Sequence, residues 1–226
     1  MRSYLIGTIL LFVIFFSSAA GAKQHYEDDL QWWVPVTLEL QLTEKTSAQL
    51  QVESRFTENI NKYTLRNFVP SLSYAPNEHV ELTLAAGPYF NFHPEIEVEK
   101  RIYQQIALKK KWHKLELSLR SRLEERFFEG VGGASLRNRY LLQVKGPIGK
   151  TPLYWITSNE IHLNLNSLKD GPQRGLNQNR IYIGVGRKIG KRMSVEGGYQ
   201  LRINYVIDRP DEMEHIILTR VSYSLH

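Results

Sequence analysis

The sequence predicts an all-β protein: an antiparallel, up-and-down transmembrane β-barrel of ten to twelve strands with a polar lumen rich in Arg and Glu. Three observations predict this fold. Apolar and polar residues alternate with a period of two almost everywhere after residue 30, no later stretch keeps a helical period, and tight turns alternate with longer polar loops. Such alternation is typical of strands with one apolar and one polar face. The composition, 42% hydrophobic and 23% charged without any Cys, excludes disordered chains, helical membrane bundles and disulfide scaffolds.

The first 22 residues form a separate segment, which we expect to be a cleaved signal peptide. Arg2 supplies a positive charge, residues 4–16 are apolar, and the small residues that follow end in Ala20-x-Ala22. The apolar run has 13 residues, whereas a spanning helix needs roughly 17–25, so a retained anchor is the less favoured alternative. The sequence therefore predicts cleavage after Ala22, export through the Sec pathway and a single barrel domain over residues 23–226.

Turn residues divide the remaining chain into eleven expected strands. Pro70 predicts a bulge or an edge in the third strand, and the alternation changes phase near Thr157 in the eighth. Tight turns are expected at 43–47, 75–78, 109–114, 147–151 and 190–192, and longer loops at 93–99, 128–135, 165–178 and 206–212. Bacterial single-chain barrels have even strand numbers, so either one strand is false or residues 23–33 add another. The expected strands are 30–42, 48–56, 63–74, 79–92, 100–108, 114–127, 136–146, 152–164, 179–189, 193–205 and 213–225.

Alternation alone does not say which face looks inward, since a soluble lipocalin-like barrel has the same period. Three features favour a membrane barrel. Long strands fill nearly the whole chain, and all four Trp residues (32, 33, 112 and 155) lie at expected strand ends or in turns, as interfacial girdles require. Most Arg residues fall on polar strand faces, whereas Lys concentrates in turns, and Arg is the cation better suited to pairing with carboxylates in a confined space. We therefore expect apolar side chains toward lipid and an ion-paired interior.

Several segments resemble a known family. They are Gln31-Trp32, QVESRF at 51–56, RSRLEERF at 120–127, NEIHLN at 159–164 and NQNRIYIGVG at 177–186. In this order they resemble the bacterial family labelled domain of unknown function 2490, whose members are predicted outer-membrane barrels. The resemblance covers most of residues 30–223. It implies the outer membrane of a Gram-negative bacterium, with membrane lipid, lipopolysaccharide and the barrel assembly machinery as partners, and it implies no activity.

If the tight turns lie at the periplasmic rim, nine Arg and three Glu on the polar strand faces fall in the half of the barrel nearer the longer loops. An excess of six positive charges would raise the local concentration of anions. The sequence therefore predicts an anion-favouring lumen, either a narrow pore or a cavity for small anionic solutes. The other interpretation is that these arginines serve only to stabilise the barrel wall through ion pairs. Of the two interpretations, this structural one is favoured. The residues are Arg55, Arg66, Arg101, Arg122, Arg126, Arg137, Arg139, Arg180 and Arg202, with Glu53, Glu124 and Glu160 as ion-pair partners.

Two other functions stay open: an outer-membrane enzyme that acts on lipid or lipopolysaccharide, and a soluble periplasmic lipocalin-like binding barrel. Ser158, Glu160 and His162 share one strand face, but residues of one strand rarely give nucleophile–base geometry, so we expect no catalytic residues. The seven His lack metal-ligand spacing, and we expect neither a metal nor a cofactor. The basic run 109–111 is expected to be a solvated turn, with no nucleic-acid partner.

Overall fold

The structure is a computed structural model that describes residues 28–92, 95–206 and 211–225. The expected signal peptide lies outside these residues, so its cleavage after Ala22 stays a prediction. No helix among the described residues is long and apolar enough to cross a membrane. The described residues form eleven strands: β1 (Asp28–Gln41), β2 (Thr46–Thr57), β3 (Lys62–Asn77), β4 (Val80–Asn91), β5 (Glu97–Trp112), β6 (Leu115–Phe128), β7 (Ser135–Pro147), β8 (Leu153–Asn164), β9 (Gly175–Ile189), β10 (Met193–Asn204) and β11 (Glu212–Leu225).

All eleven expected strands are present in the expected order, and most of their ends agree within a few residues. The turn expected at 109–114 is wrong. Strands β5 and β6 stay paired up to Trp112 and Leu115, because His113 adopts a left-handed backbone conformation (φ 52°) that closes a two-residue turn. The basic residues 109–111 therefore lie in a strand, and Lys109 forms an ion pair of 2.7 Å with Glu81.

The strands close into one barrel. Every neighbouring pair is antiparallel except β1 and β11, which are parallel. The expectation of a wholly antiparallel barrel is therefore wrong. The parallel pair has a geometric cause. When an odd number of strands alternates in direction, the first and last point the same way, and their contact must be parallel. The described residues therefore do not have the even strand number expected from bacterial barrels. All eleven expected strands are present, and no twelfth strand is found among the described residues.

The barrel has two unlike rims. At the short-turn rim the connections are 42–45, 78–79, 113–114, 148–152 and 190–192. At the long-loop rim the fully described connections are 58–61, 129–134 and 165–174, and β4 and β10 also end at this rim. Strand β1 begins at the long-loop rim, where the backbone amide of Asn59 donates a hydrogen bond to Asp29, and β11 ends at the short-turn rim.

Apolar side chains cover the outside of the barrel and polar ones fill much of its inside, as predicted. Ile183 is 63% exposed and Leu119 is 51% exposed, whereas Glu124 and His162 have no exposed surface. Trp32 and Trp112 lie on the outer face near opposite rims, in keeping with the expected girdles. Trp33 does not belong to a girdle, because its side chain points inward and is buried.

The interior also contains apolar side chains that the alternation pattern does not reveal. One cluster consists of Trp33, Ile156, Tyr182, Ile216 and Leu218. A second, which we call the β3–β5 apolar cluster, consists of Leu65, Val69, Ala85, Tyr89 and Tyr103. Inward apolar residues such as Ile156 also explain the apparent phase change near Thr157: β8 keeps one phase there, and its register shifts only between His162 and Leu163.

Glycines in β9 and β10 make room for interior aromatic rings. A methyl group on Gly184 would overlap the hydroxyl of Tyr182, and one on Gly186 would overlap the ring of Tyr154. The rings pack flat against the wall, so the barrel interior is filled with side chains on this side.

Candidate functional site

Eight of the nine predicted arginines point into the barrel in the half nearer the long-loop rim. Their side chains are 6–16% exposed, and each forms an ion pair with a Glu. The predicted partners Glu53, Glu124 and Glu160 are likewise buried. The eight arginines are Arg55, Arg101, Arg122, Arg126, Arg137, Arg139, Arg180 and Arg202.

Arg66 is the exception, and its predicted place in the lumen is wrong. The buried positions near it in β3 are Leu65, Asn67 and Val69, and Arg66 is exposed on the outer face. Its guanidinium lies 5.3 Å from the ring of Tyr63. The alternation of polar and apolar residues does not indicate which residues of β3 point inward here, because two of the three inward residues nearest to Arg66 are apolar.

Glu124 holds the centre of the first ion-pair network. It accepts hydrogen bonds from Nε and Nη2 of Arg137 at 2.8 and 2.5 Å, and from Nη1 of Arg139 at 2.8 Å. Arg122 approaches to 3.8 Å and donates to the side chain of Gln105 at 2.7 Å. Glu124 has no exposed surface, so its charge is balanced by the surrounding guanidinium groups and not by water.

Glu160 joins this network to β8 and β9. Its oxygens accept hydrogen bonds from Arg139 at 2.8 and 2.9 Å and from Arg120, and they contact Nε2 of His162 at 3.0 Å. Nη1 of Arg180 lies 3.7 Å away. Arg139 therefore bridges the two carboxylates of Glu124 and Glu160, and the network extends around the wall from β6 to β9.

Two carboxylates of the ionic interior escape sequence reasoning. Glu99 accepts hydrogen bonds from Arg101 and Arg126, both at 2.6 Å; the sequence places it in a loop, but β5 begins at Glu97. Glu214 pairs with Arg202, and its position in phase with the inward residues of β11 is the signal that could have found it. Arg120, which the sequence places on a polar strand face but outside the half nearer the long loops, pairs with Glu160.

The buried charges do not balance. Nine guanidinium groups of this network, the eight predicted ones and Arg120, share five carboxylates, those of Glu53, Glu99, Glu124, Glu160 and Glu214. The excess among these described residues is four positive charges, or three without Arg120, which the predicted excess of six does not include.

One part of the long-loop rim is acidic. A cavity of about 260 Å³ lies there, and its lining includes Glu97, Glu129 and Asp170, with Glu99 of the interior network below them. We call this part of the rim the acidic mouth.

Three arginines surround Trp33, and we call this group the Trp33 arginine cluster. The guanidinium carbon of Arg55 lies 3.6 Å from the centre of the indole ring, that of Arg202 4.9 Å and that of Arg180 5.2 Å. Arg55 pairs with Glu53 at 2.5 Å and Arg202 pairs with Glu214. In the described part of the chain, Arg180 has no carboxylate closer than 3.7 Å and donates to the amide oxygen of Gln178 instead.

Two donors beside this cluster have no acceptor among the described residues. They are Nε of Arg202 and the amide nitrogen of Gln200, and Gln200 is only 6% exposed. Unsatisfied buried donors are costly. A group of guanidinium N–H donors stacked on an aromatic ring, with spare donors beside it, can bind a carboxylate or a phosphate through several hydrogen bonds at once.

The candidate hydrolytic residues do not form a catalytic arrangement. Glu160 and His162 are in contact, but Glu160 is already held by Arg120 and Arg139. No hydrogen bond among the described residues joins Ser158 to either side chain. Across the part of the chain that the structure describes, His, Asp and Glu form no group that could hold a metal ion.

Comparison with known proteins gives a family and no activity. A family model described as protein of unknown function (DUF2490) matches residues 30–214. The chain belongs to this family. The matched DUF2490 region runs from β1 to Glu214 near the start of β11, so it contains the Trp33 arginine cluster and all five interior carboxylates. No curated protein and no solved structure matches the chain.

Proposed function

We propose that this DUF2490 protein is an outer-membrane β-barrel of a Gram-negative bacterium that binds a small anionic group in its interior. The observation that carries the proposal is the Trp33 arginine cluster. Its three guanidinium groups meet at one ring with two close carboxylates between them. Arg180, whose carboxylate Glu160 is 3.7 Å away and is shared with Arg120 and Arg139, is thus the least compensated of the three, and two spare donors lie beside it.

The distribution of side chains supports a membrane location. The outer face carries exposed apolar residues such as Leu72, Leu84 and Ile183, and the inner face carries Arg and Glu. A lipocalin-like barrel in water has the opposite arrangement. The strands have 12 to 16 residues, enough for the roughly 9–11 that a tilted strand needs to cross a bilayer.

The packing of the interior favours a binding site over an open pore. The side chains of Trp33, Ile156, Tyr182, Ile216 and Leu218 fill one side of the barrel, each at most 3% exposed. Buried ion pairs of Arg with Glu line the wall from β5 to β9. A dissolved anion that approached from the long-loop rim would also meet the acidic mouth, which disfavours rapid anion flux.

The test is a binding measurement with inorganic phosphate on the refolded full chain in neutral detergent, by titration calorimetry. We expect Arg180→Gln to weaken phosphate binding at least about ten-fold, because a hydrogen bond to a charged group is worth about 1.5–3 kcal/mol. The barrel should stay folded, since Glu160 keeps Arg120 and Arg139. The matched control is Arg66→Gln on the outer face, which should leave binding unchanged.

Two results would contradict the proposal. One is the absence of phosphate binding to the unaltered chain, or equal binding by the Arg180→Gln and Arg66→Gln variants. The other is a steady ohmic conductance in a planar bilayer, which would show a water-filled path through an interior that we consider closed.

A further inference from the structure

Among the described residues, the longest interruption of strand pairing lies between β3 and β4; a shorter one, of two residues, separates β1 from β11 after Trp33 and Leu218. Pairing runs from Leu65 to Asn67 and resumes at Ser71, but residues 68–70 have no pairing with residues 86–88. We call these two segments the β3–β4 seam. Each contains a proline, Pro70 and Pro88, and a proline has no N–H to donate to a neighbouring strand. Three residues correspond to about 10 Å of wall.

The seam faces the apolar outside of the barrel. Phe68, in the seam itself, is 40% exposed, and the flanking residues Leu72 and Leu84 are 52% and 57% exposed. In the membrane location proposed above, the seam is therefore in contact with lipid chains and lies away from both aqueous rims. The strands are close together there, since a methyl group on Gly87 would overlap the carbonyl oxygen of Phe68, so passage requires them to separate.

Behind the seam, the inner face is largely apolar, although the buried Asn67 lies between Leu65 and Val69. The β3–β5 apolar cluster lies on the inner face of the same strands, and two of its members, Val69 and Ala85, are within or next to the interrupted stretch. Arginines close the cluster on the inside: Arg101 stacks on Tyr89 at 3.6 Å, and another arginine stacks on Tyr103. Hydrocarbon chains favour such a surface because it removes them from water.

The apolar cluster adjoins the Trp33 arginine cluster. Leu65 pairs directly with Arg55 across β2 and β3, and Arg55 pairs directly with Trp33 across β1 and β2. With neighbouring strands about 4.8 Å apart, the backbones of Leu65 and Trp33 are about 10 Å apart. Arg55 therefore stands at the boundary between an apolar region and a site for an anion.

The charge at the long-loop rim indicates which way the ligand enters. Glu97, Glu129 and Asp170 line the cavity at the mouth and would repel an anion arriving from water. The seam offers a route without this barrier, and it leads first to apolar side chains and then to guanidinium groups.

We propose that the ligand is a single-chain anionic amphiphile, which enters from the bilayer through the β3–β4 seam. Its carboxylate or phosphate head binds the Trp33 arginine cluster, and its hydrocarbon chain lies along the β3–β5 apolar cluster toward Phe68. This inference rests on the proposed function, because it assigns a ligand class to the same arginines.

The first experiment separates the ligand class from simple anion binding. The full chain in nanodiscs of zwitterionic lipid is titrated with dodecyl phosphate, laurate, inorganic phosphate and acetate, with empty nanodiscs correcting for partition into lipid. We expect each amphiphile to bind at least about ten-fold more tightly than its short counterpart, and the comparison of the two amphiphiles identifies the preferred head. Equal affinity for long and short forms would overturn the inference and leave the proposed function standing. Failure of all four to bind would overturn both.

The second experiment tests the route. The chain has no Cys, so two introduced cysteines can form only one disulfide. We place them at Ser71 and Ala85, which face each other next to the seam, so that the disulfide joins β3 to β4. The matched control joins Gln143 and Ser158, which face each other across β7 and β8. We expect the clamp at the seam to slow association of dodecyl phosphate at least about ten-fold, with recovery on reduction and no change for inorganic phosphate. Equal association rates in the two oxidised variants would refute the lateral route.

Discussion

Replacing Glu124 by Gln is the most direct test of the ionic interior. The carboxylate has no exposed surface and accepts three hydrogen bonds of 2.5–2.8 Å from Arg137 and Arg139. Gln keeps the volume but removes the negative charge and turns an N–H group toward the guanidinium groups. Breaking a buried ion pair by removing one partner costs about 3–5 kcal/mol, because it leaves an uncompensated buried charge. We expect a loss of this size in the free energy of unfolding of the barrel.

The neighbouring residue supplies a matched control. Glu125 has the same chemistry but points to the outer face, where it accepts a hydrogen bond from Gln104 at 3.4 Å. We expect Glu125→Gln to change the free energy of unfolding by less than about 1 kcal/mol, as surface substitutions usually do. Both are measured by urea titration of the refolded chain in lipid vesicles, followed by tryptophan fluorescence and by mobility on unheated gels.

A double substitution shows whether charge is the cause. Adding Arg137→Gln to Glu124→Gln removes the guanidinium that lost its partner, while Arg139 keeps Glu160. We expect the double variant to recover at least about 1 kcal/mol relative to Glu124→Gln, a coupling of the size found between contacting residues. Equal losses for Glu124→Gln and Glu125→Gln, or no recovery in the double variant, would refute the conclusion that paired charges stabilise the interior.

Two further pairs of substitutions, each a test variant with its control, examine the wall itself. Gly186→Ala should lower the free energy of unfolding by about 1–3 kcal/mol, because its methyl group would overlap the ring of Tyr154; Gly197→Ala has open space around it and should be neutral in the same urea titration. Ile183→Arg, on the outer face, should cost about 2–4 kcal/mol in lipid vesicles, whereas Leu225→Arg at the end of β11 should cost about 0–1 kcal/mol. Equal costs for the two Arg variants would contradict a membrane-spanning outer face.

The strand order could be predicted from the sequence because each strand and turn is a local feature. Turn residues and period-two alternation both act over a few residues, and β-strand ends such as Leu115 and Leu153 follow directly from them. The parallel contact of β1 with β11 has no local signal. Asp28 and Met213 pair across nearly the whole chain, and only the strand count decides how they meet.

The residues of the candidate site could be predicted only on strands whose polar side chains point into the barrel and whose apolar side chains point outward. The predicted Arg137 and Arg139 lie inside because their strand alternates cleanly, whereas Arg66 lies outside because Leu65 and Val69 occupy the inward positions beside it. Period-two alternation says which residues share a face, but burial of apolar side chains in a filled interior can reverse what their polarity suggests. For the same reason, alternation did not reveal the β3–β5 apolar cluster or the β3–β4 seam.

The odd number of strands explains how the Trp33 arginine cluster can exist. Trp33 on β1 pairs directly with Leu218 on β11, which pairs with Gly198 on β10. The cluster therefore draws Arg55 from the strand on one side of β1 and Arg202 from the second strand on the other side. A twelfth strand between β1 and β11 would move Arg202 about 4.8 Å further away, beyond stacking distance of the indole ring. The parallel closure, which a regular up-and-down barrel lacks, is thus what brings these positive charges to one ring.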